Sequence, residues 1–113
     1  MFEQGARPGW FVAADGDSVV GVIGMRDAGG GVAELREPVL LDQYRGRGLE
    51  LWMIERVALY AGTNGYHTGR IPASGELSRL QRDLEDRRWF REGAEFVRHF
   101  AGGGERPAAE EWD

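Results

Sequence analysis

The sequence predicts one α/β (α+β) domain on a mixed, mostly antiparallel sheet, with elements in the order β-β-β-α-β-α-β. Near the N-terminus, the turn signal Asp15-Gly16-Asp17 separates two apolar runs, as is typical of a β-hairpin. Further on, the glycine-rich segment Gln43–Gly48 lies between an extended apolar run and a pattern with helical spacing. With 113 residues, 42% of them apolar, the chain is long enough for a modest core.

The first half of the chain is predicted to form three strands. Trp10–Ala14 and Ser18–Met25 form the hairpin, and Asp27–Gly31 is the next turn. Val32–Leu41 is the third strand, and Pro38 interrupts it. Because proline has no N–H group for the sheet ladder, we expect a bulge or a splayed edge at this residue.

The second half is predicted to alternate helices with strands. Apolar residues at three- and four-residue spacing predict a helix over Arg47–Ala61, which Gly62–Gly65 ends. Tyr66–Ile71 is the next strand, and a second helix begins at the N-cap Ser74 and continues to about Arg88. Ala94–Phe100 is the last strand, with Phe96 and Phe100 on one face.

The chain divides into three parts by composition. Residues 1–9 are expected to be a flexible lead-in, and residues 10–101 form the domain. Residues 102–113 are rich in glycine, proline and glutamate, so we expect a disordered acidic tail.

Composition excludes several classes of function. The formal net charge of −5 argues against general nucleic-acid binding. The absence of cysteine excludes a disulfide scaffold, thiolate metal sites and a cysteine nucleophile. His67 and His99 show no metal-ligand spacing, so no metal is expected. No apolar stretch reaches the length of a membrane span and no signal peptide is evident, so we expect a cytoplasmic protein.

The segment Gln43-Tyr44-Arg45-Gly46-Arg47-Gly48 carries the clearest functional signal. Glycines allow main-chain N–H groups to approach a ligand closely, at the positive end of a helix dipole, which makes a phosphate cradle. The alternative is a plain glycine turn between a strand and a helix. The string resembles the acyl-CoA pyrophosphate loop of GNAT-type N-acyltransferases, whose pattern is Gln/Arg-x-x-Gly-x-Gly/Ala, and Ala33-Glu34-Leu35 precedes it at the family's usual distance.

The resemblance covers roughly residues 10–100, from the second strand of the GNAT fold to its end. The family's opening strand and helical pair have no counterpart in this prediction. The resemblance implies acetyl-CoA, or another acyl-CoA, as co-substrate, and direct attack on it by a small-molecule or peptide amine. It also implies that the main chain at Leu40 pairs with the pantetheine amides. The implied cofactor-binding residues are Leu40, Leu41, Arg45, Gly46, Arg47, Gly48 and Leu49.

One residue of the loop departs from the family pattern. Glu50 stands where family members usually have a small residue. A carboxylate is unfavourable beside a pyrophosphate, so we expect either modest affinity or a side chain that points away from the loop.

Glu34 is the predicted general base, since some members of the family carry a base in a similar Ala-Glu-Ile/Leu string. Six strand residues separate Glu34 from Leu40, or roughly 20 Å at about 3.3 Å each, which a pantetheine arm spans. The alternative is a sheet-surface charge paired with a neighbour such as Arg36. Glu37 ranks second, because it lies on the opposite face unless Pro38 introduces a bulge.

Two departures leave other functions open. Where the family uses a helix tyrosine as general acid, this chain has Glu85 or, with a shift of one residue, Leu84. A non-catalytic module that binds CoA or a protein partner, and a subunit of a larger assembly, are the alternatives to an enzyme. We also expect a homodimer, or a partner that completes the sheet, because Trp10–Ala14 lacks the family's opening strand as a neighbour. Alternatively, residues 1–9 fold back over that edge.

Overall fold

A computed structural model describes residues 2–4 and 9–100 of the chain. Within them, the strands and helices in chain order are β1 (Phe2–Gln4), β2 (Trp10–Asp15), β3 (Ser18–Gly29), β4 (Val32–Leu35), β5 (Val39–Leu40), α1 (Leu49–Thr63), β6 (Thr68–Pro72), α2 (Glu76–Arg79), α3 (Gln81–Asp86), β7 (Phe90–Glu92) and β8 (Glu95–His99). One turn of 3₁₀ helix, Asp42–Tyr44, connects β5 to the loop before α1. None of the described helices is long and apolar enough to cross a membrane.

The strands form one mixed sheet in the order β1-β2-β3-β4-β6-β8-β7, and β5 pairs with β3 beside this order. Only β4 and β6 are paired in parallel, and the other pairs are antiparallel. The predicted class, an α+β domain on a mixed and mostly antiparallel sheet, is therefore confirmed.

The sheet opens where the predicted third strand is divided. The β4–β6 pairing ends at Glu34 and Arg70, and β5 continues along β3 alone. Pro38 lies between β4 and β5, as its missing N–H group predicts. A cleft therefore separates β5 from the chain that follows β6.

All three helices pack on the same face of the sheet. Met53 and Ile54 of α1, Leu77 of α2 and Leu84 of α3 belong to one core with residues of β2, β3, β4, β6 and β8. Along β4, Ala33 and Leu35 point into this core. Glu34 therefore points to the opposite face, on which no helix lies in the described part of the chain.

The N-terminal segment corrects two predictions. Phe2–Gln4, expected to be part of a flexible lead-in, pairs antiparallel with β2. The ring of Phe2 stacks on Phe11 at 5.7 Å and meets Trp52 edge-on at 5.4 Å, so burial of an aromatic ring accounts for the strand. The edge at Trp10–Ala14 therefore has a neighbour, and the expectation that it lacks one is wrong. The predicted tail 102–113 lies outside the described residues.

The helix boundaries differ from the predicted ones at several positions. α1 begins at Leu49 rather than Arg47, because Gly48 at its N-cap has a left-handed φ of 87°, and it continues past the predicted end to Thr63. The second predicted helix is divided at Leu80 into α2 and α3, and its N-cap is Gly75 instead of Ser74. A turn at Gly93 adds the unpredicted strand β7 beside β8.

Candidate functional site

The loop before α1 has the backbone that its glycines predict. Gly46 and Gly48 have φ angles of 75° and 87°, a region that other residues rarely adopt. A Cβ atom at either position would meet no heavy atom within 4 Å, so the surface beside both glycines is open. Among residues 2–4 and 9–100, no side chain caps the N-terminus of α1. The first N–H groups of this helix therefore have no side-chain acceptor.

The main chain of Leu40 is directed toward the cleft. The Leu41 N–H group donates to the Val20 carbonyl at 2.9 Å, so the backbone of Leu41 faces β3. Because successive residues of a strand direct their N–H and C=O groups to opposite sides, those of Leu40 face away from β3. The side chain of Leu40 packs over Gly21, where a Cβ atom would approach it to 2.4 Å.

The cleft beside β5 has a volume of about 240 Å³. Its lining residues come from β5, from the loop and from α2: Glu37, Pro38, Val39, Leu40, Arg45, Glu50, Glu76 and Leu77. The structure thus brings together two of the predicted cofactor-binding residues, Leu40 and Arg45. A second depression takes in three others, Arg47, Gly48 and Leu49, together with Tyr44 and Trp52. Leu41 is 47% exposed and lines neither.

The two loop arginines differ in their surroundings. Arg45 forms ion pairs with Asp42 and Glu76, each at 3.4 Å. The hydrogen bond to Asp42, with the charge of Glu76 beside it, raises the pKa of Arg45, so this guanidinium stays charged. Arg47 is exposed, and within the described residues no carboxylate lies within ion-pairing distance of it.

Two acidic residues of the cleft make contacts that the sequence did not predict. Glu76 lines the cleft and holds Arg45, and the sequence signal for it is a carboxylate in the first turn of a helix. Glu50 is only 6% exposed, and its Oε2 accepts the N–H group of Gly46 at 3.5 Å. Of the two orientations considered for Glu50, the side chain therefore takes the one toward the loop.

Glu34 lies on the helix-free face and not in the cleft beside β5. Its carboxylate pairs with Arg26 at 2.5 Å rather than with Arg36, because the antiparallel register places Arg26 directly opposite on β3. Glu34 lines a separate depression together with Glu37. Glu37 lines both this depression and the cleft. This position agrees with the break in the strand that Pro38 predicts.

Glu85, at the position where the family has its helix tyrosine, does not line the cleft. Glu85 is exposed on α3 and accepts a hydrogen bond from Gln81 at 3.0 Å. Among the described residues, no tyrosine lines the cleft. His67 and His99 both lie within hydrogen-bonding distance of the Thr68 hydroxyl, at 3.0 Å and 3.3 Å.

No protein-family model and no curated protein sequence matches the chain. Several solved structures do match the fold of this chain. Similar folds include an aminoglycoside 6'-N-acetyltransferase complexed with coenzyme A, which is 13% identical with a TM-score of 0.69 over 83% of this chain and 74% of the other. A GNAT-family acetyltransferase from Staphylococcus aureus Mu50 is 10% identical, with a TM-score of 0.63 over 80% and 66%.

A third structure is the PaiA N-acetyltransferase from Thermoplasma acidophilum in complex with coenzyme A. It is 14% identical, with a TM-score of 0.61 over 78% of this chain and 57% of the other. The chain thus spans between about half and three quarters of the length of these three proteins. At such identities the likeness concerns the fold. The chain has the fold of GNAT-type N-acyltransferases.

Proposed function

We propose that the chain binds an acyl-CoA, acetyl-CoA in the first instance, and transfers the acyl group to an amine. The observation that carries this proposal is the cleft in which the Leu40 main chain, Arg45 and the start of α1 meet, within a GNAT-type fold. Two of the structural neighbours are complexes with coenzyme A.

In this proposal the pantetheine of CoA lies along β5, and its pyrophosphate lies against the loop before α1. The free N–H and C=O groups of Leu40, with Leu41 beside it, pair with the pantetheine amides, as an added strand would. The main-chain N–H groups of Arg47, Gly48 and Leu49 surround the pyrophosphate, and that of Gly46 joins them when Glu50 no longer accepts it. The N–H group of Arg45 donates to the Asp42 carbonyl at 3.1 Å, so Arg45 contributes its guanidinium. The surface beside the two glycines is compatible with such a ligand, because a Cβ atom at either position would meet no heavy atom of the described residues within 4 Å beyond the adjacent ones in the chain.

Glu34 is the proposed general base. The amine nitrogen attacks the thioester carbon, a C–N bond forms, the C–S bond breaks, and the thiolate leaves without needing a general acid. Glu34 takes the proton of the ammonium form before attack, and the departing thiolate takes the second proton that the nitrogen loses as the amide forms. The place of Glu34 on β4, in the string Ala33-Glu34-Leu35, supports this role. The acceptor, a small molecule or a peptide amine, approaches from the helix-free face on which Glu34 lies.

Thermal unfolding with CoA and with acetyl-CoA tests the binding part of the proposal. A ligand at 100 times its dissociation constant stabilises the folded state by about 2.7 kcal/mol. An unchanged melting temperature in millimolar CoA contradicts binding. Release of free thiol from acetyl-CoA, measured with a panel of amines, then tests transfer and identifies the acceptor.

The second candidate function is a non-catalytic module with the same fold. It is favoured by the carboxylate of Glu50 in the loop and by the lack of a tyrosine on the cleft, within the residues described. Binding of CoA without thiol release from any amine supports this candidate, and amine-dependent thiol release excludes it. An assembly subunit that binds no CoA is the remaining alternative.

We also propose that two copies associate. The missing edge partner no longer supports this, since β1 fills that place. Support comes from the helix-free face, where Trp10 covers Gly24 and Val39 is 63% exposed.

A further inference from the structure

Glu50 is an acidic side chain buried at the site proposed for a diphosphate. It is the second residue of α1, and 6% of its surface is exposed. Carboxylates are rarely buried to this extent unless a hydrogen bond or an opposite charge compensates them. The compensation at Glu50 comes from the same loop that a phosphate would use.

The partner of Glu50 is a main-chain donor of the loop. Its Oε2 lies 3.5 Å from the Gly46 nitrogen, whose N–H group donates to it. The left-handed φ of Gly46, 75°, turns the loop back toward the first turn of α1 and so brings the two residues together. A carboxylate in the first turn is also stabilised by the helix dipole. Both interactions are those that an external phosphate would make.

The surrounding charges do not favour an additional anion. Glu37 and Glu76 line the same cleft as Glu50, and Arg45 is its only basic residue in the described part of the chain. That guanidinium already pairs with Asp42 and Glu76. A diphosphate that enters while Glu50 is in place therefore meets like charge at short distance.

We propose that Glu50 is an internal anion that occupies the phosphate-binding loop and competes with the ligand's diphosphate. This inference rests on the proposed function and deepens it, because it assigns to one side chain the control of occupancy. CoA binds after the Glu50 carboxylate leaves Gly46. If the loop is vacant about one tenth of the time, the apparent dissociation constant is about tenfold higher than the intrinsic one.

Two substitutions separate the charge of Glu50 from its bulk. Glu50→Gln removes the charge but keeps the shape of the side chain and an acceptor oxygen. Glu50→Ser removes the charge and most of the bulk. Asp86→Asn, at an exposed position in α3, is the control for the same change in net charge. Titration calorimetry with CoA is performed on the wild type and all three variants. A second series uses inorganic pyrophosphate, with thermal unfolding as the readout.

We expect both Glu50 variants to bind CoA about tenfold more tightly than the wild type, and Asp86→Asn to bind like the wild type. Equal CoA affinity in the wild type and both Glu50 variants overturns the inference and leaves the proposed function standing. Stabilisation of Glu50→Ser by pyrophosphate, with no CoA binding by any variant, supports the inference and contradicts the proposed function. No binding of either probe by any variant overturns both.

Discussion

At the scale of single residues, the proposed chemistry depends on Glu34. Its place on the strand was predictable from the string Ala33-Glu34-Leu35, since alternation along a strand sets the face of each side chain. Its partner was not predictable, because the choice between Arg26 and Arg36 depends on the register of β3 against β4, which local sequence does not determine.

Replacement of Glu34 by glutamine is expected to lower kcat about a hundredfold, the lower range for lost acid–base catalysis, because an amide cannot accept the proton of the ammonium. The KM for acetyl-CoA should change little, since Glu34 does not line the cleft beside β5. Thiol release at saturating amine measures both constants. Glu85→Gln, an exposed carboxylate on α3, is the matched control. Wild-type turnover of Glu34→Gln across roughly pH 6 to 9 refutes the role.

In the loop before α1, the glycine backbone angles were predictable from the sequence, and the orientation of Glu50 was not. The glycines at 46 and 48 predict the positive φ angles found there. The orientation of Glu50 is a choice between two rotamers, and it depends on the position of the Gly46 N–H group once the loop has folded. Sequence alone therefore left that orientation open.

At the scale of elements, the long amphipathic helix was predictable and the short strands were not. The spacing of apolar residues in α1 is local information, whereas β1 and β7 have three residues each and form only through their neighbours. The break at Leu80 falls within a helical apolar pattern, where periodicity gives no signal for it.

A half-buried polar network connects α1 to the C-terminal strands. Glu55 of α1 accepts hydrogen bonds from the Trp89 indole N–H at 3.1 Å and from the Arg98 guanidinium at 3.0 Å. Trp89 is 1% exposed. Removal of the carboxylate leaves the buried indole N–H without its acceptor, whereas the Arg98 side chain, 25% exposed, can still reach water.

Glu55→Ala is therefore expected to lower the free energy of unfolding by about 1–2 kcal/mol, because the indole N–H becomes a buried donor without a partner while the guanidinium stays partly hydrated. Chemical denaturation measures this loss, with Glu85→Ala as the surface control. A loss below about 0.5 kcal/mol, the range of ordinary surface substitutions, contradicts a structural role for the network.

At the scale of the whole molecule, the sheet has helices on one face only in the described part of the chain. The predicted elements include no counterpart to the helical pair of GNAT-type folds, which agrees with this arrangement. Whether a second copy covers the other face depends on association between chains, which neither periodicity nor motif spacing indicates.

We expect light scattering on the purified chain to give about twice its mass of 12.6 kDa at micromolar concentration. Val39→Asp should shift the protein to monomer, because it places a charge on the helix-free face. Leu59→Asp, an equally apolar position that is 55% exposed on α1, is the control and should leave the mass unchanged. A wild-type monomer rules the homodimer out.

We expect the loop before α1 to hold the diphosphate of CoA through its main chain, and calorimetric titration of CoA into loop variants measures this contact. Gly46→Val and Gly48→Val introduce a Cβ atom where the ligand is proposed to lie. Gly65→Val is the matched control, since Gly65 also has a positive φ, 92°, with no heavy atom within 4 Å of its Cβ position.

All three substitutions carry a similar backbone strain of roughly 1–2 kcal/mol, so loss of stability alone does not distinguish them. The predicted result is at least about a tenfold weaker CoA affinity in the two loop variants, or about 1.4 kcal/mol, with wild-type affinity in Gly65→Val. Unchanged affinity in both loop variants, with the domain folded, would contradict the account.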